Sequence, residues 1–173
     1  VGGTTYDLIF VGTYNTNTST NNFVRALDAA TGNTVWTFQP GNLDVIPGDP
    51  CVHAASNTVF FTSLYGSSQP SVWTVSTNQA TPVLKWSASP GDVPGSCSLR
   101  QDGQRLYVGT SDGTLYAYAT NNGSQVWSRA LNNGAIYGAP YPYGGKIYVD
   151  DQVNEGSKFV FSLPSVSPVQ PNS

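Results

Sequence analysis

The sequence has no methionine, a single histidine, a single glutamate and two cysteines, and its 173 residues carry 7 basic against 10 acidic side chains. With a formal net charge of -3, it offers no basic surface to a polyanion, so no nucleic-acid partner is expected. Charged residues make up only 10% of the chain while hydrophobic residues make up 39% and aromatics 12%. That balance excludes the charge-rich, core-poor composition of a disordered polymer. Long apolar runs are also lacking: Leu8–Val11 and Val59–Phe61 are a handful of residues, against the roughly 18 that a membrane helix needs. No membrane span is expected. Stretches of good helix formers are missing too, whereas 18 Gly and 12 Pro punctuate the chain with turns. The composition predicts one all-β domain.

Catalytic signatures are equally scarce. No G-x-S-x-G elbow, phosphate-binding loop or H-E-x-x-H run occurs, and the lone His53 cannot assemble a His-based zinc site. The chain opens at Val1 without Met or the regions of a signal peptide and reads as a mature product or a fragment. Two cysteines in an acidic, Lys-poor chain suit an extracellular or periplasmic protein with one disulfide. Asn17-Thr18-Ser19 and Asn122-Gly123-Ser124 are acceptor sequons, making Asn17 and Asn122 candidate glycosylation sites.

What the chain does contain is a repeat. Leu8-Ile9-Phe10-Val11-Gly12-Thr13 recurs as Thr58-Val59-Phe60-Phe61-Thr62-Ser63, Arg105-Leu106-Tyr107-Val108-Gly109-Thr110 and Lys146-Ile147-Tyr148-Val149-Asp150. Each copy is followed by a turn and a second aromatic strand, and in three copies by a strand ending near Trp36, Trp86 or Trp127. The Asp112-Gly113 pair between alternating strands is a strong hairpin signal. One more short strand precedes each later copy, at Cys51–Ala55, Cys97–Arg100 and Ile136–Pro140. Four antiparallel strands, A to D in chain order, at a period of about 40–50 residues describe the blades of a β-propeller. The expected boundaries are about 1–41 for blade 1, lacking its inner strand, 50–90 for blade 2, 96–132 for blade 3 and 135–165 for blade 4, with 166–173 as a tail. A sandwich of irregular strands would not explain the fixed order of aromatic, hairpin and tryptophan.

The best-formed unit, from Ala26 through Asp28, Thr31 and Gly32 to Trp36, is echoed from Ala117 through Gly123 to Trp127. This A-x-D-x-x-T-G-x-x-x-W pattern resembles the tryptophan-docking repeat of the pyrroloquinoline-quinone-like propeller superfamily. The resemblance implies that Ala26, Asp28, Thr31, Gly32, Trp36, Trp86, Ala117, Gly123 and Trp127 are structural, with the tryptophans stapling blade to blade. It also implies rings of seven or eight blades, whereas about four can be counted, with three, four, four and three strands. An open or incomplete ring follows, and the bare sheet faces of such an arc invite association.

Cys51 and Cys97 lie 46 residues apart, one repeat, each at the opening of a strand A. A disulfide clipping blade 2 to blade 3, worth about 3–4 kcal/mol, competes with two free buried thiols. The calcium ligands, catalytic Asp and adjacent-cysteine ring of the quinone-dependent dehydrogenases that the repeat resembles do not appear in family spacing. Asp150, Asp151 and Glu155 form the one acidic cluster and could hold Ca²⁺, although solvated loop charge is the favoured reading. Tyr137, Tyr141 and Tyr143 offer stackable rings of the kind glycans use. The reading is a non-enzymatic scaffold or protein-interaction module without a cofactor, partnered by copies of itself or by the missing part of a larger propeller. The alternatives are a carbohydrate-binding propeller and a fragment of a quinone-dependent dehydrogenase.

Overall fold

The computed structural model describes residues 7–16, 22–41, 43–64, 69–77, 81–143, 146–150 and 158–162. Its strands form four antiparallel sheets in chain order. Blade 1 holds β1 (Leu8–Gly12), β2 (Val24–Asp28) and β3 (Thr34–Phe38). Blade 2 holds β4 (Cys51–His53), β5 (Thr58–Thr62), β6 (Val72–Ser76) and β7 (Leu84–Ala88). Blade 3 holds β8 (Ser98–Leu99), β9 (Arg105–Gly109), β10 (Thr114–Ala119) and β11 (Gln125–Ala130). Blade 4 holds β12 (Tyr141–Tyr143), β13 (Lys146–Asp150) and β14 (Lys158–Ser162). Among the described residues the strand tally is three, four, four and three, the one the repeat predicts, and the fold is that of a β-propeller whose ring is not closed. Innermost strands of successive blades run side by side, β4 beside β8 and β8 beside β12. No helix among the described residues is long and apolar enough to cross a membrane.

Alternation along the strands gives every blade two faces. Phe10, Ala26, Trp36 and Phe38 of blade 1 pack on Val59, Phe61, Trp73 and Val75 of blade 2. The other side of blade 2, with Phe60, Val72 and Trp86, packs on Leu106, Val108 and Tyr118 of blade 3. Tyr107, Leu115 and Ala117, on the far side of blade 3, meet Ile147 of blade 4. The hydrophobic effect therefore acts between sheets, since a single blade has no interior of its own.

One correction concerns the inner strand of blade 4, which is expected at Ile136–Pro140 and is found at Tyr141–Tyr143. Ile136 is used elsewhere. Its amide donates to the Thr110 carbonyl at 3.1 Å, and its side chain occupies the space over Gly109 that a Cβ there would need. Ile46 does the same in blade 1, donating to Thr13 at 3.0 Å and filling the space over Gly12. A branched residue returning from the blade's outer edge thus seals the end of its strand B, and the chain turns inward only afterwards.

Candidate functional site

The recurring chemistry of the molecule is a tryptophan seat. Register aligns Phe10, Ala26 and Trp36 in one row across blade 1, Phe60, Thr74 and Trp86 across blade 2, and Tyr107, Ala117 and Trp127 across blade 3. The small residue in the middle lets the indole reach across to the strand B ring. Centroid distances are 5.7, 6.0 and 5.9 Å respectively. In all three blades the outer pairing slips just past the small residue, after Ala26, Thr74 and Ala117. A bulge of this kind bends and twists the strand, which turns the indole toward the following blade.

The Trp86 seat is seen whole. Its indole N–H donates to the Thr120 carbonyl of blade 3 at 2.9 Å, and a Cβ on Gly123 would lie 2.6 Å from its ring. Tyr118 flanks it at 6.3 Å, and burial pushes that phenol well up, so it stays neutral. Gly123 has φ of 72°, a left-handed conformation that glycine adopts without strain. Its amide donates to the Ala119 carbonyl at 2.9 Å. Asn122, the exposed sequon residue, braces the same turn by accepting from the Ser124 amide at 3.0 Å.

The corresponding hairpin of blade 1 has the same build. Gly32 has φ of 71° and donates to the Asp28 carbonyl at 2.8 Å. Asp28 Oδ1 accepts from the Ala30 amide, the Thr31 amide and the Thr31 hydroxyl at 3.0, 2.9 and 3.0 Å. Here, however, nothing among the described residues lies within 4 Å of a Cβ built on Gly32. No indole of the described residues lies on the turn.

Trp36 and Trp127 are seated less completely. The Trp36 indole nitrogen is buried without a hydrogen-bond partner among the described residues; in sequence, the stretch from Thr74 to Trp86 departs from the motif, having no Gly and two extra residues. Trp127 is half-buried against Tyr107, and the stretch after Ser162 lies outside the described residues. Thr74 departs from the alanines of its row, and its buried hydroxyl has no partner among the described residues. Because an unsatisfied buried hydroxyl costs about 1–3 kcal/mol, Thr74→Ala is expected to leave stability unchanged or raise it. Urea denaturation would check this, and a loss of more than about 1 kcal/mol would contradict it.

The two cysteines meet, as free thiols in place of the expected disulfide. Cys51 Sγ donates to the Cys97 carbonyl at 2.7 Å, and Cys97 Sγ points to the Phe60 carbonyl at 3.7 Å. Each thiol is engaged with a neighbouring strand. The Cys51 thiol beside it and complete burial hold the Cys97 thiol well above the ordinary range. Register also shows that the two are not equivalent positions: Cys51 pairs with Phe60, whereas Ser98, the residue after Cys97, pairs with Tyr107.

His53 is half-buried, with Nδ1 2.8 Å from Ser56 Oγ and its ring against Gly103 of blade 3. It fills an inter-blade contact. Tyr137, Tyr141 and Tyr143 are all exposed, the last two on one face of β12. Asp150 lies on β13, while Asp151, Glu155 and Asn17 lie outside the described residues.

A set of hub contacts is absent from the sequence reading. Gly48 abuts the backbone of Ser96, whose hydroxyl accepts from the Asp49 amide at 2.8 Å. Gly95 abuts the Tyr137 carbonyl, and Thr62 donates to the Gly95 carbonyl at 2.6 Å. The signal was present as Ile46-Pro47-Gly48, Val93-Pro94-Gly95 and Ile136-Tyr137-Gly138.

The blade 1 end of the arc differs from its junctions. Ile9 and Val11 of blade 1 are 49% and 37% exposed, while the residues at the same positions, Val59 and Phe61 in blade 2 and Leu106 and Val108 in blade 3, are fully buried. Arg25 stands where Trp73 and Tyr116 stand in the next blades, stacked over Phe23 at 4.3 Å with Nε donating to Thr37 Oγ1 at 3.2 Å.

Comparison with known proteins agrees with this geometry. The family model for outer membrane protein assembly factor BamB matches residues 20–160. The crystal structure of BamB from Moraxella catarrhalis superposes with a TM-score of 0.63 at 19% identity, covering 83% of this chain and 43% of that one. The chain therefore spans less than half the length of that relative. The computationally designed Ika4 protein superposes with a TM-score of 0.66 at 11% identity, covering 94% of this chain and 95% of its own. No curated protein matches the sequence. With 141 consecutive residues inside the match, the chain belongs to the BamB family of pyrroloquinoline-quinone-like β-propeller repeats.

Proposed function

We propose that the chain is a non-catalytic protein-interaction scaffold that works in the periplasm or outside the cell and completes its ring with further blades from another copy, another chain or the missing part of a larger propeller. The observation that carries this reading is the exposure of Ile9 and Val11, at positions fully buried in blades 2 and 3. An apolar blade face that every other junction covers is the mark of a docking surface. The family name, an outer membrane protein assembly factor, supports a role among proteins of the cell envelope, and the acidic, Lys-poor composition fits an extracytoplasmic setting. An arc covering 43% of the Moraxella chain leaves room for about as many blades again.

Analytical ultracentrifugation tests the reading. The chain is expected to sediment above its 18.4 kDa monomer mass as concentration rises, because bare faces find one another. Val11→Asp places a charge on that face and is expected to restore the monomer without lowering the melting temperature. A wild-type chain that stays monomeric at every concentration, and that binds no more hydrophobic dye than Val11→Asp does, would count against the proposal.

A further inference from the structure

Blade 1 presents to the outside what blades 2 and 3 present to their predecessors. Register places Ile9 opposite Leu27 and Val11 opposite Arg25, just as Leu106 lies opposite Tyr118 and Val108 opposite Tyr116 in blade 3. On blade 3 this face ends in the hairpin that receives Trp86, with the Thr120 carbonyl as acceptor and Gly123 as floor. On blade 1 the same face ends in the hairpin Asp28–Asn33. Ala29 holds the position of Thr120 and Gly32 that of Gly123, with glycine φ values of 71° and 72°. The amides of Ala29 and Thr120 even donate to equivalent carbonyls, Asp7 at 2.7 Å and Gln104 at 3.4 Å. One hairpin carries an indole, and on the other no described residue lies where the ring would sit.

We propose that the Asp28–Asn33 hairpin, flanked by Ile9, Val11 and Leu27, is a vacant indole socket that receives the outer-strand tryptophan of a further blade of this same repeat, from outside these 173 residues. The indole N–H would donate to the Ala29 carbonyl and the ring would lie on Gly32, as Trp86 does on Thr120 and Gly123. The chain's own tryptophans do not supply it. Trp36 and Trp73 are buried between blades 1 and 2, Trp86 between blades 2 and 3, and Trp127 lies against the blade 3 core. Residues 128–173 hold no tryptophan, so β12–β14 of a second copy would bring no indole to the socket. The matching occupant is a blade that ends as blades 1 to 3 do. Arg25, in the place of Trp73 and Tyr116, sets a cation on this face and favours a partner with a carboxylate opposite it.

This inference rests on the scaffold reading but has its own test. The full chain is titrated into a synthetic peptide of residues 114–130, the one-tryptophan hairpin of blade 3, carrying fluorotryptophan at position 127 and observed by fluorine NMR. A saturable shift of the indole resonance is expected. It should weaken by about tenfold or more with the Gly32→Val chain, whose side chain occupies the place of the ring, and with the Val11→Asp chain, which leaves the hairpin untouched. A peptide carrying Trp127→Ala should fail to compete. An absent shift, or one that persists unchanged in both variant chains, overturns the socket. Should the chain self-associate through its bare face while the peptide fails to bind, the scaffold reading stands and the socket falls. Should a monomeric chain bind the peptide, the socket stands and self-association falls.

Discussion

Trp86→Ala is expected to cost about 3–5 kcal/mol of stability, the range for deleting a buried aromatic ring, enough to consume a large share of the 5–15 kcal/mol typical of a domain. The ring is 9% exposed, touches Phe60 and Tyr118, and satisfies the Thr120 carbonyl through its N–H. Its removal leaves a void between blades 2 and 3 and an orphaned acceptor at once. Trp127→Ala, at a half-buried row with no described hydrogen bond, is expected to cost clearly less. Urea denaturation of both variants gives the comparison. Equal losses, or a Trp86→Ala loss below about 1 kcal/mol, would show that the indole decorates the junction without holding it.

Two glycines with nearly the same backbone give the second large effect. Gly123→Ala and Gly32→Ala both place an L-residue in the left-handed region, a strain of about 1–2 kcal/mol. At Gly32 that is the whole cost, since the added methyl meets open space among the described residues. At Gly123 the methyl lies 2.6 Å from the Trp86 ring, so the indole must lift off its seat. Gly123→Ala is expected to cost at least about 2 kcal/mol more than Gly32→Ala, the lower range for lost core packing. Thermal melts of the pair check this directly, because the strain cancels in the difference. Identical melting temperatures would mean that the blade 3 seat contributes nothing.

How much of this was legible from residues alone depends on how local each signal is. The strand tally and the middle strands were readable because aromatic, small and tryptophan positions recur in fixed order, and sheet pairing then places Phe10, Ala26 and Trp36 in one row. The turn at Asp28–Gly32 was readable because Asp, Thr and Gly each have one cheap role there. The inner strand of blade 4 was missed because Ile136, apolar and β-branched, reads as strand while it actually caps Gly109. The equivalence of Cys51 and Cys97 failed by one residue, since Asp49-Pro50 precedes Cys51 where only Ser96 precedes Cys97 after the shared Gly, and a one-residue offset changes the partner across the sheet. The open seat could not be foreseen, because the motif at Gly32 is spelled the same whether or not a ring lies on it.

The Asp28–Gly32 turn keeps its hydrogen bonds and its glycine conformation with no ring of the described residues upon it. A newcomer would find a finished template, so its arrival demands no reshaping of the loop and forfeits little entropy there. Growth at this end would then obey nearest-neighbour energetics, each step contributing about what the step before it did. On that proposal the arc would be one stretch of a one-dimensional lattice, with its blade 1 face shaped for the next unit.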